Sequence, residues 1–232
     1  MSTVVLCCNT LENELNLVLE ESGRGYPVVW LEAGLHNQPE RLRAHIDEVL
    51  KSLDSGAGAP GRALMALGYC GGAVSRLGPF DFEMIMPRAD DCLSILMGSM
   101  ESRHKASGLS ATYFLTEGWL RHTENLITSF SHDQDVFGRE RAERIYKIML
   151  KHYRRFGFVD TGSYNLQAAM EHTRPLADLI GIKNERLPGS LSWLRKLITG
   201  PWDKKDFIVI PAGKTLSSDD WGWLAGTVLQ NM

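Results

Sequence analysis

The four cysteines of this sequence, together with His36, lie at positions where they could bind a metal ion. Cys7 and Cys8 end the first apolar run, and Cys70 ends the third. His36 follows the second run and Cys92 follows the fourth. Thiolates and neutral imidazole are ligands that zinc prefers, and cysteine thiolates also hold iron–sulfur clusters. The pattern therefore predicts either a zinc site or a [4Fe–4S] cluster with one iron open to substrate.

The runs that position these side chains have the length of β-strands and alternate with helical patterns. They are Thr3 to Cys8, Pro27 to Leu31, Ala63 to Tyr69, Phe82 to Met86 and Thr112 to Leu115. Such alternation is typical of βαβ units, which form a mostly parallel, Rossmann-like sheet flanked by helices. The carboxyl ends of parallel strands meet at one sheet edge. We therefore expect Cys8, His36, Cys70 and Cys92 to converge there, whereas Cys7 is expected in the core.

Helical patterns occupy the connections and most of the second half of the chain. Asn37 is a candidate N-cap for the second helix, with Pro39 in its first turn. Beyond residue 116 the sequence is mainly helical, with short runs at Phe156 to Asp160 and Phe207 to Pro211. We predict one α/β domain over residues 1–232. Its βαβ-rich part (1–116) would carry the site, and its helical, closing part would span 117–232.

Four residues near the predicted edge are candidates for substrate binding. Gly71 and Gly72 would let the backbone approach a ligand closely, or would form a plain turn. Asp91 could orient a ligand or cap the helix that follows it. Thr116 is a plausible N-cap beside the end of the fifth run. These alternatives stay open from the sequence alone.

Glu117 and His122 are the candidate general acid and base, because they could bring a carboxyl group and an imidazole near the same edge. As single residues, however, such side chains are more often surface or structural groups. The established phosphate-binding and nucleophile motifs are absent, since the sequence has no Walker A loop, G-x-G-x-x-G, G-x-S-x-G or H-E-x-x-H. The expected chemistry therefore depends on the cysteines.

Composition and charge describe an ordinary globular chain. Of its 232 residues 44% are apolar and 23% are charged, and the formal net charge is −3. Such a chain has no basic field for nucleic acid or an anionic membrane. No apolar window reaches the length of a membrane helix, and the first residues do not resemble a signal peptide. We expect a cytoplasmic protein whose cysteines are reduced.

The sequence resembles a bacterial and archaeal family of uncharacterised proteins, a domain of unknown function, whose genes often lie near those for corrinoid-dependent methyltransferases. The resemblance rests on Cys8, on the segment Leu35, His36, Asn37 and Pro39, on Tyr69, Cys70 and Gly71, on Cys92, and on Thr112 to Thr116 followed by Glu117, Arg121 and His122. Two positions depart from the family pattern. Tyr69 directly precedes Cys70, and Asp91 stands where many relatives have histidine.

The resemblance implies that Cys8, His36, Cys70 and Cys92 belong to one site, with His36 as fourth ligand or proton carrier. It also suggests thiol or methyl-group chemistry at zinc, with a thiol or methylated amine as substrate and a corrinoid methyltransferase as a possible partner. We therefore expect a metal-dependent transferase or lyase. One alternative is a [4Fe–4S] enzyme for sulfur removal or dehydration. Another is a non-catalytic accessory protein that binds a corrinoid or a methyltransferase.

Overall fold

The strands of the protein form two sheets in a computed structural model that describes residues 2–35, 38–56, 58–121 and 125–222. The strands are β1 (Thr3–Cys8), β2 (Val28–Leu31), β3 (Arg62–Ala66), β4 (Glu83–Pro87), β5 (Thr112–Leu115), β6 (Arg155–Asp160), β7 (Lys183–Pro188) and β8 (Phe207–Ile210). The first sheet has the order β2-β1-β3-β4-β8, and the second has the order β5-β6-β7. Every pair is parallel except β4 with β8. The predicted α/β fold with a mostly parallel sheet is confirmed.

Helices cover the sheets and fill the connections between strands. They are α1 (Glu12–Ser22), α2 (Pro39–Ser55), α3 (Cys92–Leu96), α4 (Met100–Leu109), α5 (Glu117–Arg121), α6 (Leu126–Phe137), α7 (Arg139–Met149), α8 (Leu166–Ile180) and α9 (Ser192–Thr199). Short 3₁₀ turns span Asn9–Leu11, Cys70–Gly72 and Ser218–Trp221. Pro39 begins α2 as predicted, whereas the predicted cap Asn37 lies outside the described residues. None of the helices in these ranges is long and apolar enough to cross a membrane.

The first sheet is buried on both faces, because side chains alternate along each strand. In β1, Val4 and Leu6 pack into a cluster with Ile46 of α2. Val5 and Cys7 point to the other face and pack in a second cluster with α1 and α9. Cys7 is fully buried there, in agreement with its expected place in the core. The strand therefore directs its two cysteines to opposite faces of the sheet.

The second sheet accounts for the largest difference from the predicted arrangement. The run at Thr112 to Leu115 is a strand, but it pairs with β6 and not with the first sheet. Arg155 of β6, only 7% exposed, ties the three strands together. It donates to Thr112 Oγ1 at 2.7 Å, to Glu185 at 2.6 Å and to the Ala106 carbonyl at 2.9 Å. The helical second half thus also contains the strands β6 and β7, of which β6 was predicted.

The two sheets meet where their carboxyl edges approach each other. Gly118 of α5 lies so close to the backbone of Thr10 that an added Cβ would overlap the Thr10 carbonyl. Glu14 of α1 accepts hydrogen bonds from Thr161 at 2.9 Å and Ser163 at 2.8 Å, in the loop after β6. Residues from both sheets can therefore contribute to one cleft.

Candidate functional site

Three cysteines come from neighbouring strand ends of the first sheet. Cys8 is the last residue of β1, Cys70 follows β3, and Cys92 begins the helix after β4. Since β3 lies between β1 and β4 in the sheet, the three residues share one edge. They are also near enough to influence one another's ionisation electrostatically. The edge that the sequence predicted as the site therefore carries a cluster of three thiols, here called the thiol cluster.

Direct backbone contact holds the loops of Cys70 and Cys92 together. The Tyr69 N–H donates to the Ala89 carbonyl, and the Cys70 N–H donates to the Asp90 carbonyl, both at 2.8 Å. Gly68 makes this approach possible, because a Cβ there would lie 2.8 Å from the Asp91 backbone. The chain therefore needs a glycine at position 68 to bring these two loops into register.

Cys70 has a strained backbone conformation. Its φ is +49°, the only positive φ of a non-glycine residue in the part of the chain that the structure describes. The left-handed conformation costs an L-residue about 1–2 kcal/mol. Gly71 and Gly72 follow with φ values of +64° and +97° and make the turn tight. A glycine would fit position 70 without this steric cost.

Burial raises the pKa of both loop thiols. Burial and then the neighbouring Cys8 raise the pKa of Cys70 to about 12. Burial, followed by Asp91, Cys70 and Cys8, raises the pKa of Cys92 well above the ordinary cysteine value. Both side chains are therefore neutral thiols at pH 7, and a bound cation would favour their thiolates. Cys8 differs in having a polar partner, since the Thr10 hydroxyl donates to its Sγ at 3.1 Å.

The thiol cluster has the donor chemistry of a soft metal site but is not closed around a metal position. Within the ranges described above, no group of three or more His, Cys, Asp or Glu side chains has the arrangement of a metal site. His36, the predicted fourth ligand, lies outside the described residues. Three thiols are the donor type that zinc and iron–sulfur clusters take. The three cysteines therefore fit a soft metal in the type of their donor atoms and in their shared place at one sheet edge.

A cleft of about 760 Å³ opens between the two sheets, next to the loops that carry Cys8 and Cys92, but none of the three thiol residues lines it. We call it the intersheet cleft. Asn9 and Leu93, which directly follow Cys8 and Cys92, line its first-sheet side. Residues of β5, of α5 and of the loop before β6 form the opposite wall, including Tyr113, Phe114, Trp119 and Tyr153. Arg41 of α2 and Arg103 of α4 complete the lining. Its volume is in the range of small-molecule sites.

Glu117 lies at a second depression, of about 500 Å³, on the α1 and α8 side of α5. Its carboxylate accepts from Asn13 Nδ2 and pairs with Arg121 at 2.6 Å. His172 also lines this depression, and the three thiol residues line neither cavity. The candidate base His122 lies outside the described residues. The structure therefore places Glu117 in a charged network rather than among the lining residues of the intersheet cleft.

The four candidate substrate-binding residues all have local structural partners. Asp91 caps α3 by accepting from the Ser94 N–H at 2.8 Å. Gly71 packs beside Pro39 of α2, and the Gly72 carbonyl accepts from Arg43 at 2.7 Å. Thr116 is buried before α5 and accepts from the Trp119 N–H at 3.4 Å. None of the four lines the intersheet cleft, and a binding role for them stays a prediction.

Sequence reasoning missed a buried carboxyl group. Glu14 of α1 is fully buried, and its Oε2 has no hydrogen-bond partner among the residues described. Burial is the main cause that raises the pKa of Glu14, and the nearby charge of Glu117 raises it further. The hydrogen bonds from the Ser163 and Thr161 hydroxyls lower this pKa in part. In the sequence Glu14 looks like an ordinary polar position of an amphipathic helix. Only the later packing of the loop after β6 buries it.

Comparison with known proteins assigns the chain to a family. The family described as "Protein of unknown function (DUF1638)" matches residues 30–198. The chain belongs to this family. The matched region includes His36, Cys70 and Cys92, whereas Cys8 and the strands β1 and β8 lie outside it. A search of the curated proteins found no match, and a search of the solved structures found none either.

Proposed function

We propose that this protein is a metal-dependent enzyme that uses the thiol cluster for thiol or methyl-group chemistry. The observation that carries the proposal is the placement of Cys8, Cys70 and Cys92 at three neighbouring strand ends of one sheet edge. Two of them directly precede residues that line the intersheet cleft, Asn9 and Leu93. Ligands dispersed over separate loops are typical of catalytic metal sites, whereas structural zinc sites have closely spaced ligands. The strained Cys70 supports the proposal, since strain of this kind concentrates at functional sites.

Cys8, Cys70 and Cys92 would hold the metal, with His36 as fourth ligand or as a proton carrier. Zinc is our first assignment, because as a Lewis acid it would lower the pKa of a substrate thiol. The sulfur atoms do not form a metal site as they lie. Binding would therefore require them to move closer together or His36 to complete the ligand set.

The methyl-transfer form of the proposal needs two substrates, a thiol and a methyl donor such as a methylated amine or a methylated corrinoid. The thiol loses its proton to a base, for which His122 is the remaining candidate, because Glu117 pairs with Arg121 at the second depression. Its sulfur then forms a bond to the methyl carbon. The bond between that carbon and the donor breaks, and its electron pair stays with the donor. A corrinoid methyltransferase would be a suitable partner for such a step.

The test is metal analysis of protein purified without oxygen. Wild type is compared with Cys70→Ser and Cys92→Ser, and Cys7→Ala is the matched control because Cys7 points to the opposite face of the sheet. We expect about one zinc per chain in wild type and in the control, and less than a tenth of that in the two serine variants.

The same measurement separates the alternatives. About four irons per chain with absorbance near 400 nm would replace zinc by a [4Fe–4S] cluster and favour sulfur removal or dehydration. Metal-free wild type, with all variants folded, would contradict the proposal. An accessory protein that binds a corrinoid or a methyltransferase would then be the better interpretation.

A further inference from the structure

Arg103 is a cation at the wall of the intersheet cleft with unused hydrogen-bonding capacity. Its guanidinium stacks on the Phe114 ring, 4.1 Å from the centroid. One terminal nitrogen donates to Ser107, but the buried Nε has no acceptor among the described residues. Asp91 Oδ2 lies 3.9 Å from Nε, so the two groups form an ion pair but not a hydrogen bond. A buried guanidinium N–H without an acceptor is costly, so the site favours a ligand that brings one.

The remaining lining of the intersheet cleft combines a second cation with apolar walls. Arg41 of α2 lines the cleft and donates a hydrogen bond to Gln38 Oε1 at 3.0 Å. Tyr113 and Tyr153 pack edge to face, 5.2 Å between ring centroids, on the second-sheet side. Asn9 contributes a buried Oδ1 without a donor in the described chain. Glu32 is the one acidic side chain in this lining as described, so cations outnumber anions.

We propose that the intersheet cleft binds a small organic anion, with its carboxylate or phosphate at Arg103 and Arg41 and its apolar body against the aromatic wall. Anion binding itself does not depend on the proposed function; only the statement that the bound anion is a substrate rests on it. Two guanidinium groups oppose a cationic ligand. Of the two substrate classes proposed above, a thiol that carries an anionic group therefore fits the cleft better than a methylated amine.

The test is a ligand-observed NMR titration with four small aromatic probes: benzoate, phenyl phosphate, benzyl alcohol and benzylamine. We expect benzoate or phenyl phosphate to bind at least 10-fold more tightly than benzyl alcohol and benzylamine. Preference for benzoate would indicate an organic acid, and preference for phenyl phosphate would indicate a phosphate ester. Equal binding of all four probes, or no saturable binding of either anion, would overturn the inference.

Variants locate the anion within the molecule. Arg103→Gln should reduce anion affinity about 10-fold, and Arg41→Gln, at an exposed position, should act in the same direction without affecting folding. The matched control is Arg139→Gln, which removes an exposed arginine paired with Glu143 on α7 and should bind like wild type. An equal loss in the control would contradict a site in the cleft. The titration needs neither metal nor turnover, so metal-free protein would refute the proposed function and leave this result unaffected.

Discussion

The carboxyl edges of the two sheets follow the same topological rule but carry different chemistry. The edge of the first sheet presents three half-buried thiols, and partial desolvation raises the pKa values of two of them, Cys70 and Cys92. The edge of the second sheet presents hydroxyl and carboxyl groups, namely Thr161, Ser163 and Glu117. Parallel strands thus bring side chains together at an edge, and the residue types in the loops decide what that edge can bind.

The two edges also differ in whether their charged groups have a partner of opposite charge. Glu117 at the second edge pairs with Arg121, which also contacts Glu12 at 2.6 Å. The carboxylate of Glu117 is therefore compensated without a ligand. Among the described residues, the charged groups that affect the pKa values of Cys70 and Cys92 are Asp90 and Asp91, which raise them. The first edge would gain from a cation.

The largest expected effect concerns the contact that joins the two edges. Gly118→Ala should lower the free energy of unfolding by about 3 kcal/mol, because the new Cβ would overlap the Thr10 carbonyl and push α5 away. Urea denaturation would measure the change. Gly108→Ala on α4 is the matched control, since nothing lies within 4 Å of its added Cβ. It should raise stability by about 0.5–1 kcal/mol. Equal stability of both variants would show that the edges do not depend on this contact.

The next effect tests the buried carboxyl group of the second edge. The folded-state pKa of Glu14 is raised, so its contribution to stability is present below the ordinary glutamate pKa and is lost as the pH rises through the raised value. The melting temperature of the wild-type protein should therefore fall as the pH rises above about 4.5. Glu14→Gln should remove that part of the pH dependence, and differential scanning calorimetry from pH 4 to 8 would measure it.

Glu21→Gln is the control for this experiment. Glu21 is exposed, and its hydrogen bond with Arg195 lowers its pKa, so its small contribution has the opposite sign. The control should follow the wild-type pH profile. A Glu14→Gln profile that also follows wild type would show that Glu14 does not titrate in this range.

The smallest expected effect tests the strain at the first edge. Cys70→Gly should be about 1 kcal/mol more stable than Cys70→Ala, because glycine adopts a φ of +49° without a steric cost. Because both variants lack the thiol, the difference between their urea midpoints measures the effect of the backbone conformation at position 70. Greater stability of the alanine variant would mean that position 70 is not strained. The thiol cluster would then lose one of its two supporting observations.

Sequence patterns predicted the first sheet better than the second. The strands β1 to β4 appear in the sequence as apolar runs because both faces of the first sheet are buried. β7 does not, since Leu187 is its only buried residue and the other side chains of Lys183–Pro188 are polar or exposed. The helix α9 was not predicted either. The helical pattern from Val136 to Phe156 was one segment in the sequence, whereas Gly138, with a φ of +80°, separates α6 from α7.

The candidate site shows the same limit. Shared strand ends were enough to predict that Cys8, Cys70 and Cys92 would lie at one edge. Glu14 could not be predicted, because its partners Thr161 and Ser163 lie far along the chain. Arg103 contacts Ser107 and Phe114 nearby in sequence, but its place at the cleft depends on how the second sheet packs against the first. Periodicity reports which face of an element is buried, but not which distant segment buries it.

The antiparallel pairing of β8 with β4 has a consequence for synthesis of the chain. Met84 of β4 pairs with Ile210 of β8, and the whole second sheet is translated between them. Until the ribosome has released residues 207–210, β4 has an unpaired edge of apolar sequence that can recruit another nascent chain. A polypeptide stopped short of β8 would therefore be prone to aggregate, although every thiol of the cluster would already have been made.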